Sequence, residues 1–317
     1  MDFSELIRYY QPTVISALRK WTNFASEEPE IFSNAIIESV NKKSEEEEIF
    51  LPYKVPTTDY EVEIRDEEYL KPSPYCEVDA KEILGMAVKL GAFDKEPKEY
   101  AEAVFNFVKG RIDLKFSVQS MGALNCLKTG IGGPADKTSL FIALCRVGRL
   151  KSRYNLTAEI QFKDNLHNFL VNETGSFGKF YSVLDFFPIH INAEVMIDDK
   201  WIPADTTFTP EFELPLRYAP TQLGHDPSGY WERGHQGYGM STESLPLEFW
   251  NLYKEILVTF PGAIKNINDA VNKLTKKGKE ILNNIEEKEK YERMMKGIKS
   301  YDELAEELTN KLKNKID

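Results

Sequence analysis

The chain has 317 residues, of which 42% are hydrophobic and 29% are charged, and its formal net charge is -11. This acidic balance argues against binding to a nucleic-acid backbone, which requires a surplus of Lys and Arg. The chain has three cysteines, an odd number, and they lie far apart in the sequence. This pattern indicates a reducing compartment and argues against a disulfide framework or a zinc ribbon. No leader sequence and no apolar run of about 18 residues is found, so the sequence predicts a cytoplasmic protein without a membrane span.

Residues 1–67 are predicted to form a helical N-terminal extension followed by an extended arm. Apolar residues recur at helical spacing from Phe3 to Leu18, and Pro12 predicts a kink or a break within that helix. A second helix is expected to begin at Pro29, because proline suits the first helical position. Further along, the prolines of the arm exclude a long helix, and the segment YEVEI at 60–64 alternates like a short strand.

Residues 68–215 are predicted to form the core domain. Two helical segments lie within 77–110, and a third helix follows a glycine-rich turn at 130–133. Five strand-like segments come next, and they read NLTAEIQF, HNFLVNE, FYSVLDFFP, INAEVMID and KWIPAD. This order of elements predicts an α+β fold in which a central helix packs on an antiparallel sheet.

Residues 216–317 are predicted to begin as a loop region and to end in amphipathic C-terminal helices. Apolar residues form a heptad-like seam from Ile264 to Ile285. A last helix is expected to start at Ser300, which forms a capping box with Glu303. We expect these helices to pack back on the core; the alternative is that they pair with a partner protein or a second copy of the chain.

The segment that follows the glycine-rich turn resembles a known family. GIGGPADKTSLFIALCRVGRLKSR, at 130–153, is similar to the first core motif of the transglutaminase-like superfamily, whose fold is of the papain type. The residues that match this motif are Gly130, Gly132, Asp136, Lys137, Leu140, Leu144, Arg146 and Arg153. The family's second motif is matched by His190, Glu194, Trp201 and Asp205, with Asp205 fifteen residues after His190.

The resemblance covers roughly residues 68–210, and it implies a catalytic triad of Cys, His and Asp. It assigns the histidine to His190 and the aspartate to Asp205, but it places the catalytic cysteine on Pro134. The chain also departs from the family pattern at Asn192, at Thr206 and in the segment RLKSR at 149–153. Proline is favoured at the first position of a helix, so Pro134 is expected to keep the helix start and to delete the thiol. These departures argue against the family's chemistry and leave the predicted fold unchanged.

Four other residues near the turn carry a thiol or a hydroxyl that could replace the nucleophile. Cys126 and Cys145 are expected to be small buried hydrophobic residues, with a nucleophilic role for either as the alternative. Thr138 and Ser139, one turn into the helix, are expected to bond to the helix backbone or to pack. Asp136 is a candidate binding residue, but its place in the first turn also suits helix capping.

His190 and Asp205 are predicted to form an oriented imidazole–carboxylate pair. Such a pair can act as a general base on water or on a substrate. It can also be a relic hydrogen bond that only stabilises the sheet. The sequence leaves both interpretations open.

The segment GYWERGHQGYG at 229–239 is predicted to be a lid or a binding loop, because its glycines allow movement and its aromatic residues can cover a cleft. Together with Trp201, its candidate binding residues are Tyr230, Trp231 and His235. A surface loop pinned by Trp231 is the alternative. We predict no metal site and no cofactor; a zinc site among His225, His235 and nearby acidic residues is the alternative.

Two classes of function follow from these observations. The first is a pseudoenzyme that binds an extended peptide or a partner protein in the family's cleft without cleaving it. The second is an enzyme that acts on an amide-type substrate through His190 and Asp205 without a thiol. A third class, DNA binding on this fold, conflicts with the acidic charge.

Overall fold

A computed structural model of the chain describes residues 3–41, 54–59, 66–218, 221–225, 231–233, 239–284, 286 and 289. The helices are α1 (Phe3–Glu27), α2 (Pro29–Asn41), α3 (Lys81–Leu90), α4 (Pro97–Arg111), α5 (Gly122–Thr129), α6 (Pro134–Val147), α7 (Asp164–Glu173), α8 (Ser176–Leu184), α9 (Pro210–Glu213), α10 (Leu247–Thr259) and α11 (Pro261–Asn283). The strands are β1 (Asp113–Leu114), β2 (Ile131–Gly132), β3 (Ser152–Phe162), β4 (Phe187–Ile197), β5 (Lys200–Ala204), β6 (Trp231–Arg233) and β7 (Gly239–Thr242). None of the helices in these ranges is long and apolar enough to cross a membrane.

Among the described residues, the main sheet is antiparallel and has five strands. Its order is β5-β4-β3-β6, and β7 also pairs with β3. The short strands β1 and β2 form a separate parallel pair directly before α6. Because β4 pairs with β3 along almost its whole length, these two long strands are the frame on which the other strands are placed.

The two faces of the β3–β4 pair differ in polarity. Leu156 and Ile191 are directly opposite each other and belong to the same hydrophobic core as helix α6. The next pair on the other face is Thr157 and His190, which are both buried and polar. The helix itself is buried from Ala135 to Val147, so the predicted architecture of a central helix on an antiparallel sheet is confirmed.

Two of the five predicted strands are helices. HNFLVNE lies in α7, and most of FYSVLDFFP lies in α8 and the turn after it. Both segments are compatible with helical spacing: Leu166, Phe169 and Leu170 are the buried positions of α7. Short apolar runs do not distinguish a strand from a helix by periodicity alone, and here the helical period is the one that meets the core.

Helix α1 continues through Pro12, so the predicted break is wrong. Pro12 is exposed, whereas Leu6, Thr13 and Ala17 are buried on another side of the helix. Packing of that buried side maintains the helix despite the hydrogen bond that proline removes. The predicted start of the second helix at Pro29 is confirmed.

Helix α11 folds back on the chain and packs against α2, α8 and α9. Its Gly278 lies directly against the backbone of Glu211. A hydrogen bond of 2.8 Å from the Asn266 side chain to Glu38 joins α11 to the N-terminal helices. The predicted strand at 60–64 and the predicted last helix from Ser300 lie outside the described residues.

Candidate functional site

The glycine-rich turn leads directly into the first residue of α6. Gly133 is the residue before the helix and Pro134 is its first residue. Pro134 is partly exposed, whereas its neighbours on both sides are buried. A side chain at Gly133 would collide with the Tyr253 hydroxyl of helix α10. We call the glycine-rich turn at 130–133 and the first turn of α6 the corner. Within 130–136, Pro134 occupies the one accessible position of the corner.

Asp136 fastens this corner from inside. Its carboxylate accepts hydrogen bonds from the Gly122 amide at 3.0 Å, the Gly133 amide at 2.9 Å and the Tyr253 hydroxyl at 3.3 Å. Burial raises the pKa of Asp136 to about 7, although the hydrogen bonds from the Gly122 and Gly133 amides act to lower it. Asp136 is wholly buried, so these contacts give it the capping role. Its role as a binding residue stays a prediction that they do not support.

All three cysteines are buried and have no bonded partner cysteine. Cys126 is the one nearest the corner, because its Sγ lies where a side chain on Gly132 would be. Burial raises the pKa of Cys126 well above its usual value, and the neighbouring Asp136 raises it further. Burial also raises the pKa values of Cys76 and Cys145. A thiol needs a lowered pKa and access to solvent to react, so none of the three meets the requirement for a nucleophile.

His190 and Asp205 are in direct contact. Nε2 of His190 lies 2.8 Å from Oδ2 of Asp205, and the other carboxylate oxygen accepts a 2.9 Å bond from the Thr207 amide. An ionised carboxylate only accepts hydrogen bonds, so Nε2 carries the hydrogen and Nδ1 is the basic nitrogen of the neutral ring. Burial alone would raise the pKa of Asp205, but His190 and the Thr207 amide hold it well below its usual value.

Helix α6 is attached to β4, the strand that carries His190. The Thr138 hydroxyl, one turn into α6, donates a 3.2 Å hydrogen bond to the carbonyl of Ile191. The sequence predicts that Thr138 bonds to the helix backbone or packs; the side chain is buried, and its hydroxyl attaches the helix to β4. This bond fixes the backbone next to His190 relative to the helix start.

Two buried lysines lie beneath the same region. The Lys137 ammonium donates a 2.8 Å hydrogen bond to the carbonyl of Ile112. Burial, together with nearby Lys109, lowers the pKa of Lys137 to about 7, whereas Asp205 acts in the opposite direction. Lys109 itself is paired with the buried Glu213 at 2.9 Å. The helix start therefore lies above a layer of buried charge that the sequence pattern did not reveal.

Trp201 belongs to a cluster with Arg153 and Glu194. The Arg153 guanidinium lies 3.9 Å from the centre of the Trp201 ring, and its Nε is 2.7 Å from the Glu194 carboxylate. The Tyr69 ring meets Trp201 edge to face at 5.1 Å. These contacts join the start of β3 to β4 and β5, so this part of the second motif stabilises the sheet on which His190 is placed.

Tyr230 and His235 lie outside the described residues, and only the backbone of Trp231, in β6, is described. The prediction of a binding loop at 229–239 therefore stays a prediction. In the described part of the chain, no group of His, Cys, Asp and Glu side chains is arranged to hold a metal ion. The ring of His167 is 3.2 Å from the Tyr181 hydroxyl, and His225 is buried.

Sequence reasoning missed the residues that the C-terminal helices bring to the corner. Tyr253 of α10 contacts Asp136, as given above. Asn268 of α11 bonds twice to the backbone of Phe116, with both distances at 2.9 Å. Phe116 in turn lies beside Gly133. An Asn within an apolar heptad seam was the one available signal, because a buried amide requires partners.

Comparison with known proteins bears on the same region. Residues 85–206 match the sequence profile of the Transglutaminase-like superfamily. No curated protein matches the chain. One similar solved structure is a candidate cysteine protease from Cytophaga hutchinsonii, with 20% identity and a TM-score of 0.33; the match covers 60% of this chain and 57%, less than two thirds, of that one. Residues 85–206 of this chain form a transglutaminase-like domain.

Proposed function

We propose that the chain is a pseudoenzyme that binds a peptide or a partner protein and does not cleave it. The observation that carries this proposal is Pro134. It occupies the first position of α6, at the accessible point of the corner, where the family resemblance expects the catalytic cysteine. Proline has no atom that can attack a carbonyl group. A polypeptide bound at this corner therefore meets no nucleophile.

The state of the remaining groups supports the same conclusion. The three cysteines are buried with raised pKa values, so none of them replaces the missing thiol. The Tyr253 hydroxyl lies against Gly133 and Asp136, so a helix of the chain itself packs on the corner. The His190–Asp205 contact is kept. In a pseudoenzyme its role is to hold β4 and the end of β5 together.

The test is an activity assay with fluorescein-labelled casein, for proteolysis, and with casein plus dansylcadaverine, for acyl transfer to an amine. We expect the wild-type chain to release no fragments and to incorporate no amine. Iodoacetamide should label none of the cysteines in the folded chain and all of them after unfolding. Turnover that disappears in His190→Ala would contradict the proposal. Turnover that disappears on labelling of Cys126 would identify that residue as a nucleophile.

A second candidate function is an enzyme that uses His190 and Asp205 without a thiol on an amide-type substrate. The observation that favours it is a set of buried side-chain oxygens on or near the polar face of β3 and β4. Within the described residues, these oxygens have no hydrogen-bond partner, and they belong to Asn155, Glu159, Asn192 and Thr206. Turnover that resists iodoacetamide and is lost in His190→Ala would establish this function in place of the first.

A further inference from the structure

Strand β7 pairs with β3 along one of its two edges. Its other edge points away from β3. Strand β4 covers one edge of β3 from Ser152 to Ile160. Other groups can therefore reach the β3 backbone only from its second edge. There the Tyr69 carbonyl accepts from the Ser152 amide at 3.1 Å, and the Tyr9 hydroxyl donates to the Leu156 carbonyl and accepts from the Ala158 amide at 3.1 and 3.2 Å. The even-numbered residues of β3 thus direct their N–H and C=O groups toward β7.

This orientation determines which groups of β7 point outward. Tyr154 and Leu156 are opposite Thr242 and Met240, so these are the pairs that exchange hydrogen bonds. Ser241 lies between them, and its N–H and C=O point away from β3. Among the described residues, neither of these two groups has a hydrogen-bond partner, and Ser241 is exposed. Such an edge is a template for one more strand.

The residues of β7 also line an open groove of about 510 Å³. Its lining is the segment Met240–Glu243 together with Glu5, Arg8, Glu68 and Tyr69. The half-buried Met240 and Tyr69 give the groove apolar contact surface. The groove includes none of Gly133, Pro134, Asp136 and Tyr253, so it is distinct from the helix corner.

The charged residues that line the groove indicate what kind of peptide it would bind. Three carboxylates and one guanidinium line it. Glu243 is already 3.3 Å from the Lys71 ammonium, whereas Glu68 is exposed at the rim. The chain as a whole carries a net charge of -11. An acidic edge of this kind favours an extended chain with Lys or Arg side chains over an acidic one.

We propose that the outer edge of β7 binds an extended basic peptide, which adds to the sheet as a further strand. The peptide backbone bonds to the N–H and C=O of Ser241, and alternate basic side chains face the carboxylates of the groove. This proposal rests on the proposed function only in the statement that a peptide is bound and left uncleaved. It places that peptide at the edge of the sheet, away from the corner that Pro134 occupies.

The decisive variant is Ser241→Pro. Because the Ser241 N–H points away from β3, proline removes the donor to the peptide and leaves the bonds between β7 and β3 in place. Ser241→Ala is the matched control, because both variants lose the 2.9 Å hydrogen bond from the Ser241 hydroxyl to Glu194. The probe is a capped, fluorescein-labelled peptide of alternating Lys and Thr, and a Glu and Thr peptide of the same length tests the charge. Binding is measured by fluorescence anisotropy.

We expect wild type and Ser241→Ala to bind the basic peptide equally. Ser241→Pro should bind it at least about tenfold more weakly, and the acidic peptide should bind wild type more weakly by a similar factor. The Ser241 amide should also exchange its hydrogen more slowly when the basic peptide is bound. Equal binding by wild type and Ser241→Pro would overturn the proposal, as would an unprotected Ser241 amide. If the proline variant does not fold, N-methylation of alternate peptide residues removes the same bonds from the other partner.

Two further outcomes have separate meanings. A concentration-dependent dimer that Ser241→Pro abolishes would replace the peptide by a second copy of the chain, paired edge to edge. Peptide binding at β7 together with turnover that requires His190 would refute the pseudoenzyme and leave the binding site intact. Absence of both binding and turnover would refute the β7 site alone.

Discussion

At the scale of single residues, the proposed function depends on Pro134, the first residue of α6. The helix start that would lower a cysteine's pKa is equally suited to proline, because the N–H that proline lacks has no partner inside the first turn. Pro134 therefore preserves the corner, while Asp136 holds the loops around it. We expect Pro134 to leave this corner without a group that can attack a carbonyl.

Lys137 is the residue whose burial should be visible in the pH dependence of stability. Its pKa is about 7 in the folded chain and about 10.4 in an unfolded one. Between these values the unfolded state binds more protons, so the free energy of unfolding of wild type should rise with pH. Lys137→Met removes this titration. From pH 8 to pH 10 the stability of wild type should rise relative to Lys137→Met by about 1 kcal/mol or more, since each unit of pKa difference is worth about 1.4 kcal/mol.

Urea denaturation at each pH measures this effect, and Lys98→Met, at an exposed position, is the control. The control variant should follow the wild-type pH dependence. A Lys137→Met protein whose stability changes with pH in parallel with wild type would show that Lys137 keeps its usual pKa in the fold.

At the scale of elements, the corner between β2 and α6 depends on one carboxylate. Asp136→Ala would leave the amides of Gly122 and Gly133 buried without an acceptor, and each such group costs about 1–3 kcal/mol. We expect a loss of about 2–4 kcal/mol in the free energy of unfolding. Tyr253→Phe is the comparison, because it removes only the 3.3 Å hydroxyl bond and should cost about 0.5–1.5 kcal/mol. Thermal and urea unfolding measure both, and equal costs would mean that the amides find other acceptors.

The elements of the structure also show how much of the fold and of the candidate site the sequence could predict. The family resemblance implied a pair of His190 and Asp205, and the two side chains meet at 2.8 Å. Strands β3, β4 and β5 match three of the predicted strand-like segments. Helices α7 and α8 do not match the prediction, because their apolar residues fit both periods. Tyr253 and Asn268 could not be predicted as parts of the corner. Their partners lie 117 and 152 residues away in sequence, and no local pattern encodes such a contact.

At the scale of the whole molecule, α11 connects the N-terminal helices to the domain that carries the candidate site. It contacts α2 through Asn266 and α9 through Gly278, whose hydrogen atom faces the Glu211 backbone. A side chain at Gly278 would have to displace that backbone. Helices α1, α2 and α11, the described helices of the two extensions that meet here, are therefore parts of the packed structure.

Gly278→Leu tests this connection. Forcing a side chain into a closed contact costs about 1–3 kcal/mol or more, and we expect the loss to appear in a single unfolding transition shared by all probes. Lys277→Leu introduces the same side chain at the next, exposed position and should change the stability little. A separate early transition in Gly278→Leu, with the main transition unchanged, would show that α11 is not part of the cooperative unit.

The most direct test of the proposed function places a thiol at the first position of α6. In Pro134→Cys the new thiol stands at the accessible start of α6, and the helix dipole together with the His190 imidazole should lower its pKa below the free value of about 8.5. The measurement is the pH dependence of iodoacetamide alkylation, compared with Pro134→Cys combined with His190→Ala; the buried native cysteines should not contribute. We expect the pKa of the new thiol to be lowered in Pro134→Cys and to rise when His190 is also replaced by Ala. A thiol that titrates normally in both variants would contradict the proposed function, because the corner would then have lost the geometry of a nucleophile site.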